Sequence, residues 1–126
     1  MTGVLLVASG GAVGAALRHL FGIGTLKLFG SGLPFGTIGV NVLGSLLMGL
    51  LVAWLARAGG EGAQTLRLLF ATGLLGGFTT FSSYSLDIVA LYERGMVGTA
   101  AAYALGSVIL GVAALFAGLA MGRTLF

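Results

Sequence analysis

Four long stretches of the chain carry no charged side chain: residues 1–17, 28–56, 68–86 and 95–122, which are 17, 29, 19 and 28 residues long. An α-helix rises about 1.5 Å per residue, and about 20 apolar residues cross a hydrocarbon core roughly 30 Å thick. Each stretch therefore reads as a membrane-crossing helix, with spans predicted at roughly 3–21, 35–56, 66–91 and 97–122. The first and third runs are short and need their flanks, which places Arg18 and Asp87 near helix ends or in a wet vestibule. Gly30-Ser31-Gly32-Leu33-Pro34, Ala58-Gly59-Gly60-Glu61-Gly62 and Glu93-Arg94-Gly95 break the chain between spans. The loops are short, and residues 1–126 are expected to form a single four-helix transmembrane domain. Met1-Thr2-Gly3 puts no positive side chain ahead of the first apolar run, so a cleaved signal peptide is not expected.

Composition agrees with this pattern and excludes other classes. The chain is 58% hydrophobic and only 7% charged, whereas a soluble domain is about 25% charged. Nine charged residues make a poor surface against water, so a soluble enzyme is excluded, and disorder needs the opposite composition. There are 24 Gly but one Pro and no G-X-Y period, so a collagen-like chain is excluded. The net charge of +3 comes from six basic residues in separate places. They form no patch interleaved with exposed aromatics, so nucleic acid is not expected as a partner. With no Cys and one His, His19, the chain has no disulfide, thiolate or metal cluster.

Charge placement bears on orientation, which follows Lys and Arg in short loops. Arg57, Arg67 and Arg123 fall on one side, and Arg18, Lys27 and Arg94 on the other. The tie is compatible with one weakly biased topology, or with dual topology in which copies insert both ways and pair antiparallel. Four spans enclose little interior, so a polar path is more easily built between subunits than within one. Small residues recur at i, i+4 (Gly10/Gly14, Ser45/Gly49, Gly73/Gly77, Ser107/Gly111, Gly118/Gly122), a spacing that lets helix backbones approach closely.

Polar residues inside the spans are the candidate chemistry. Thr37, Asn41 and Ser45 recur every four residues and share a helix face. Asn41 is either an interhelical hydrogen bond worth about 0.6–2 kcal/mol or part of a polar track. The third span reads Gly73-Leu74-Leu75-Gly76-Gly77-Phe78-Thr79-Thr80-Phe81-Ser82-Ser83-Tyr84-Ser85. Gly costs about 1 kcal/mol per helical position against Ala, and Ser and Thr compete for backbone hydrogen bonds. A break near residues 76–80, close to mid-membrane, is predicted. Non-helical backbone at that depth persists only when buried in protein or lining a cavity, and broken helices are where transport proteins bind ions. Phe78, Phe81 and Tyr84 lie three apart beside Ser82 and Ser85; aromatic edges are positive, so they serve either an anion or simple packing. Tyr103 and Ser107 share a face of the fourth span, as a polar rail or as satisfied hydroxyls. Trp54 and Tyr92 read as interfacial belt residues. No carboxylate sits in the middle of a span, and no catalytic set or Gly-Lys-Ser/Thr phosphate loop is present, so an enzyme is not expected.

Three ordered blocks carry a resemblance. They are Gly10-Gly11-Ala12-Val13-Gly14-Ala15-Ala16-Leu17-Arg18, then Gly36-Thr37 with Asn41 and Gly44-Ser45, then Gly76-Gly77-Phe78-Thr79-Thr80-Phe81-Ser82-Ser83-Tyr84-Ser85. The chain resembles the Fluc/CrcB family of fluoride channels over essentially its whole length. The resemblance implies an antiparallel, dual-topology homodimer in the bacterial inner membrane, with two pores for passive fluoride export. It implies a central structural sodium ion held by the backbone carbonyls of Gly76 and Thr79, and no organic cofactor. It places Asn41, Thr80, Phe81, Ser82, Tyr84, Tyr103 and Ser107 along the fluoride path, and Arg18 in a vestibule or structural role. Tyr84 stands where many members have Phe, so its hydroxyl would donate to fluoride or narrow the pore. Gly111 removes a third hydroxyl from the fourth-span rail. Two other classes compete: a small multidrug-type dual-topology exporter, which predicts an embedded Glu that the first span lacks, and a non-transporting membrane assembly protein.

Overall fold

A computed structural model describes residues 1–126, and the chain is all helical. Helix α1 (Thr2–Phe29) and α2 (Phe35–Ala58) are followed by an interrupted third span: α3 (Gly62–Leu66), a π-helical segment (Arg67–Leu75), α4 (Gly76–Phe78) and α5 (Phe81–Glu93). Helix α6 (Val97–Leu125) ends the chain. Four helical runs, Thr2–Phe29, Phe35–Ala58, Gly62–Glu93 and Val97–Leu125, are long and apolar enough to cross a membrane.

The helices outrun the charge-free stretches that predicted them. α1 continues eight residues beyond the expected end and carries Arg18, His19 and Lys27 on its last turns. A charged side chain near a helix end reaches water by extending along the helix, so it does not stop the backbone. The stop comes at Gly30, whose φ of 76° leaves the right-handed region, and Gly95 does the same between α5 and α6.

Packing pairs the spans one with three and two with four. α1 lies chiefly against the π-segment and α4, and α2 lies against α6. Each pair runs parallel, as alternate spans must, and each is closed by glycines. A Cβ at Gly14 would strike the Leu74 carbonyl, and one at Gly77 would strike the carbonyl of Gly11. Across the other seam, Gly49 lies against the backbone of Leu115 and Leu119, and Gly118 against the Leu46 carbonyl. With these side chains reduced to hydrogen, the backbones touch directly. The recurrent small pairs in these spans are therefore contact surfaces.

The third span is shaped by two departures from α geometry. In the π-segment the Gly76 N–H reaches back five residues to the Ala71 carbonyl. Gly76 itself is helical, with φ −62° and ψ −38°. Only Thr79 (φ −84°, ψ 161°) and Thr80 (φ −153°, ψ 120°) are extended. The interruption is thus two residues long and falls after the glycines, because Gly77 is used for close approach to α1. Phe78 lies before it, buried and edge-on to Phe21 at 6.2 Å and 87°. It therefore does not continue the stripe of Phe81 and Tyr84. At the far end of the molecule, Arg57 Nε donates to the Phe126 carbonyl at 2.7 Å and ties α2 to the C-terminus.

Candidate functional site

Two extended residues leave backbone groups without helical partners, and those groups must be satisfied in an apolar surrounding. Asn41 of α2 satisfies two of them. Its Nδ2 donates to the Thr80 carbonyl at 3.0 Å, and the Thr80 N–H donates to its Oδ1 at 2.7 Å. The amide acts as a surrogate peptide group across the gap. Ser45, one turn on, donates to the Asn41 carbonyl at 2.7 Å. Thr80 then starts α5: its Oγ1 accepts from the Ser83 N–H at 3.1 Å, a side-chain cap on the new helix. Thr80 Oγ1 also lies 3.3 Å from the Ser82 hydroxyl. Thr79 Oγ1 donates to the Leu75 carbonyl at 3.0 Å, and its methyl fills the space that a Cβ on Gly44 would need.

Two donors remain. An Asn side chain carries two amide hydrogens, and Asn41 gives one to Thr80 and the other to no protein group. The Ser107 hydroxyl on α6 is buried with no partner at all. A buried hydroxyl left without a partner costs about 1–3 kcal/mol. Asn41 and Ser107 both line a groove of about 390 Å³, together with Ser45, Thr79, Thr80, Phe81 and Tyr84. No charged residue lines it.

Aromatic rings run along the same side of α5. Phe81 and Tyr84 are 5.6 Å apart and tilted by 45°, and Tyr84 and Tyr103 are 5.6 Å apart and tilted by 42°. Phe81 is 78% exposed in the single chain, although its ring is apolar and follows the cap directly. The Tyr84 hydroxyl donates to the Ala104 carbonyl at 2.6 Å. It ties α5 to α6, while Tyr84 also lines the groove. Tyr103 and Ser107 are parted. The Tyr103 hydroxyl donates to Asp87 Oδ2 at 2.9 Å, while Ser107 opens on the groove.

Thr80 also lines a second cavity, of about 680 Å³. This one is charged: Arg18, His19, Asp87 and Arg94 line it, with Ser83 and the turn at residues 30–34. Arg18 and Asp87 thus line one cavity. Gly76, at the other side of the interruption, is exposed. Reading the sequence span by span missed three participants: Asp87 as the partner of Tyr103, the Ala104 carbonyl, and the shared position of His19 and Arg94. Asp87 was within reach of spacing arguments, because 81, 84 and 87 follow one face of α5. The Ala104 carbonyl belongs to the backbone and carries no residue-type signal.

Known proteins agree with the pattern of blocks. The profile of the family described as CrcB-like protein, Camphor Resistance (CrcB), matches residues 5–119. A protein of Phenylobacterium zucineum (strain HLK1) named Fluoride-specific ion channel FluC is 54% identical over 126 residues, covering 100% of this chain and 99% of its own. The protein of the same name from Agrobacterium fabrum (strain C58 / ATCC 33970) is 51% identical over 100% of both chains. That from Caulobacter vibrioides (strain NA1000 / CB15N) is 48% identical over 100% of this chain and 99% of its own. With four membrane-length helices and relatives of matching length from end to end, this chain is a multi-pass bacterial membrane protein and belongs to the CrcB family.

Proposed function

We propose that the protein is a passive fluoride-selective channel that lets cytoplasmic fluoride leave the cell across the inner membrane, working as an antiparallel homodimer. The observation that carries the reading is the uncharged groove, lined together by Asn41, which gives the protein only one of its amide hydrogens, by Ser107, whose hydroxyl bonds no group of the chain, and by Phe81 and Tyr84. Fluoride is small and strongly hydrated and leaves water only where donors replace its shell. Neutral donors and positive ring edges do this without a fixed cation that would hold the ion. Relatives about half identical over their whole length bear the name of fluoride-specific channels.

The dimer follows from size. Only 16 of 126 residues are buried, so a single chain has no interior in which to close a path. A second copy laid over the groove covers Phe81 and encloses the donors, and the even division of basic residues between the two ends favours opposite insertion of the two copies. The interruption of the third span then lies at mid-membrane, at the subunit interface.

A structural sodium ion fits the oxygen groups available at that interruption. In a continuous helix the Thr80 N–H would bond the Gly76 carbonyl; here it goes to Asn41 instead, which leaves the carbonyl of the exposed Gly76 without that donor. Gly76 and Thr79 would hold the ion through backbone carbonyls, hard oxygen ligands suited to a hard cation. When bound, the ion supplies central positive charge that offsets the cost of drying the anion.

Purified protein in liposomes should release fluoride to an electrode, and chloride should not follow. Equal chloride flux would remove the selectivity claim. One observation favours a second reading, a non-transporting assembly protein: the two-bond clamp by Asn41 is fully explained as structure. A dimer that carries no ion would establish that reading. The exporter reading has no such support, and proton-driven uptake of a lipophilic cation is the result that would revive it.

A further inference from the structure

α2 rests chiefly on α6, yet it also meets both extended residues of the third span. Asn41 takes the backbone of Thr80. Three residues on, the buried Gly44 takes the side chain of Thr79. A Cβ on Gly44 would overlap the Thr79 methyl and would lie 3.4 Å from Phe78 Cδ1. Thr79 cannot swing that methyl aside freely. Its N–H and its Oγ1 both donate to the Leu75 carbonyl at 3.0 Å. The hydroxyl and the methyl stand on one Cβ, so turning the methyl away takes the hydroxyl off its acceptor. Gly44 thus differs from the glycines of the helix seams. Those admit a neighbouring backbone, whereas Gly44 admits one methyl group.

We infer that Gly44 is a positioning residue for conduction, a socket on α2 that seats the Thr79 methyl so that Thr80 reaches Asn41 and fixes its amide. The inference rests on the fluoride-channel reading. Asn41 gives one amide hydrogen to the Thr80 carbonyl and accepts the Thr80 N–H on its Oδ1. Together these two bonds set the plane of the amide, and with it the direction of the hydrogen that no protein group takes. Thr79 (ψ 161°) and Thr80 (φ −153°) are consecutive in extended backbone, so a displacement of Thr79 passes directly to the Thr80 N–H. That N–H lies 2.7 Å from its acceptor, and a hydrogen bond weakens steeply once its angle is lost. A methyl added at position 44 therefore removes no donor. It misdirects one, through Thr79 and Thr80. Gly44, Asn41, Thr79 and Thr80 all line the same uncharged groove.

The test is a double-mutant cycle on the full-length protein in liposomes, with fluoride flux expressed per folded protein and melting measured on the same preparations. Gly44→Ala should lower the flux about tenfold, the scale of one lost hydrogen bond to a charged partner. Thr79→Ser keeps the hydroxyl and removes the methyl that the socket holds. In that background the same Gly44→Ala change should cost less than about threefold, because the coupling between the two sites goes with the methyl. A Gly44→Ala protein that melts early but conducts like wild type overturns the inference and leaves Gly44 as a packing residue. An equal flux loss in both backgrounds overturns it too, since the new methyl would then obstruct the groove by itself. If Gly44→Ala alone gives no folded protein, the double variant decides. Folded protein that conducts as Thr79→Ser does supports the socket, and continued failure to fold overturns it. No fluoride flux from wild type overturns the channel reading and the inference with it, a result distinct from wild-type flux that Gly44→Ala leaves intact.

Discussion

The two halves of α6 meet their neighbours by opposite means. From Gly111 to Gly122 the helix lies on α2 through glycines, backbone against backbone, with Gly49 and Gly118 at the closest approach. From Ala100 to Ser107 it meets α5 through hydroxyls: Tyr84 to the Ala104 carbonyl, Tyr103 to Asp87, and Ser107 with no partner. In a membrane both helices are surrounded by hydrocarbon, so no hydrophobic drive separates the two modes. The glycine seam has nothing to exchange and holds one geometry. The hydroxyl contact can trade one acceptor for another, which is what a surface must do if an ion is to pass along it. One helix thus serves as a fixed rail at one end and as a set of exchangeable donors at the other.

The sharpest way to break the contrast is to put a charge among the exchangeable donors. Asn41→Asp keeps the shape but removes both amide hydrogens and faces the Thr80 carbonyl with an anion. Fluoride efflux is expected to fall by about a hundredfold or more, since a carboxylate is costly at membrane depth and repels the permeant ion. A flux within a few-fold of wild type would take Asn41 out of the path.

The glycine seam should fail through stability. Gly118→Val sets side-chain atoms against the Leu46 carbonyl, and overpacking of this kind costs about 1–3 kcal/mol. The variant should lose thermal stability in detergent and give less folded protein, with the surviving fraction still selective. A fully stable variant with altered selectivity would contradict the assignment of the seam as a rail.

Smaller effects separate the hydroxyls. Ser107→Ala removes the unpartnered donor and should lower fluoride flux about tenfold while leaving melting unchanged or slightly raised, because it relieves a buried unsatisfied group. Tyr84→Phe removes the tether to the Ala104 carbonyl and keeps the ring. It should cost about 0.5–1.5 kcal/mol of stability and change flux less than Ser107→Ala does. Flux and melting temperature measured on the same preparations check both. A larger flux loss for Tyr84→Phe would return its hydroxyl to the path.

Much of this architecture is legible in the sequence for a simple reason. Charges are so few that their spacing marks the four spans, and Gly with Ser and Thr in the third marks the weak place in its helix. Resolution failed where the cause lay far away in the chain. The interruption occupies only Thr79 and Thr80, the last two residues of the expected stretch, where Asn41, 39 residues earlier in the chain, takes the Thr80 N–H. Tyr103 and Ser107 share a face, yet Asp87, 16 residues before Tyr103, claims one hydroxyl and nothing claims the other. Helix ends were missed outward, because lysine and arginine near a terminus do not halt a backbone that a left-handed glycine then does.

The pairing of spans one with three and two with four also constrains how the protein is made. When the first two helices have left the ribosome, they can meet each other but neither has yet met its main partner. α1 waits for the π-segment and α4, and α2 waits for α6, the last helix synthesised. The first pairing can form once the third span is in the bilayer, whereas the second waits for α6, and a chain cut before α6 leaves α2 with an open glycine groove. Such a fragment also lacks the hydrogen bond from Arg57 to the Phe126 carbonyl.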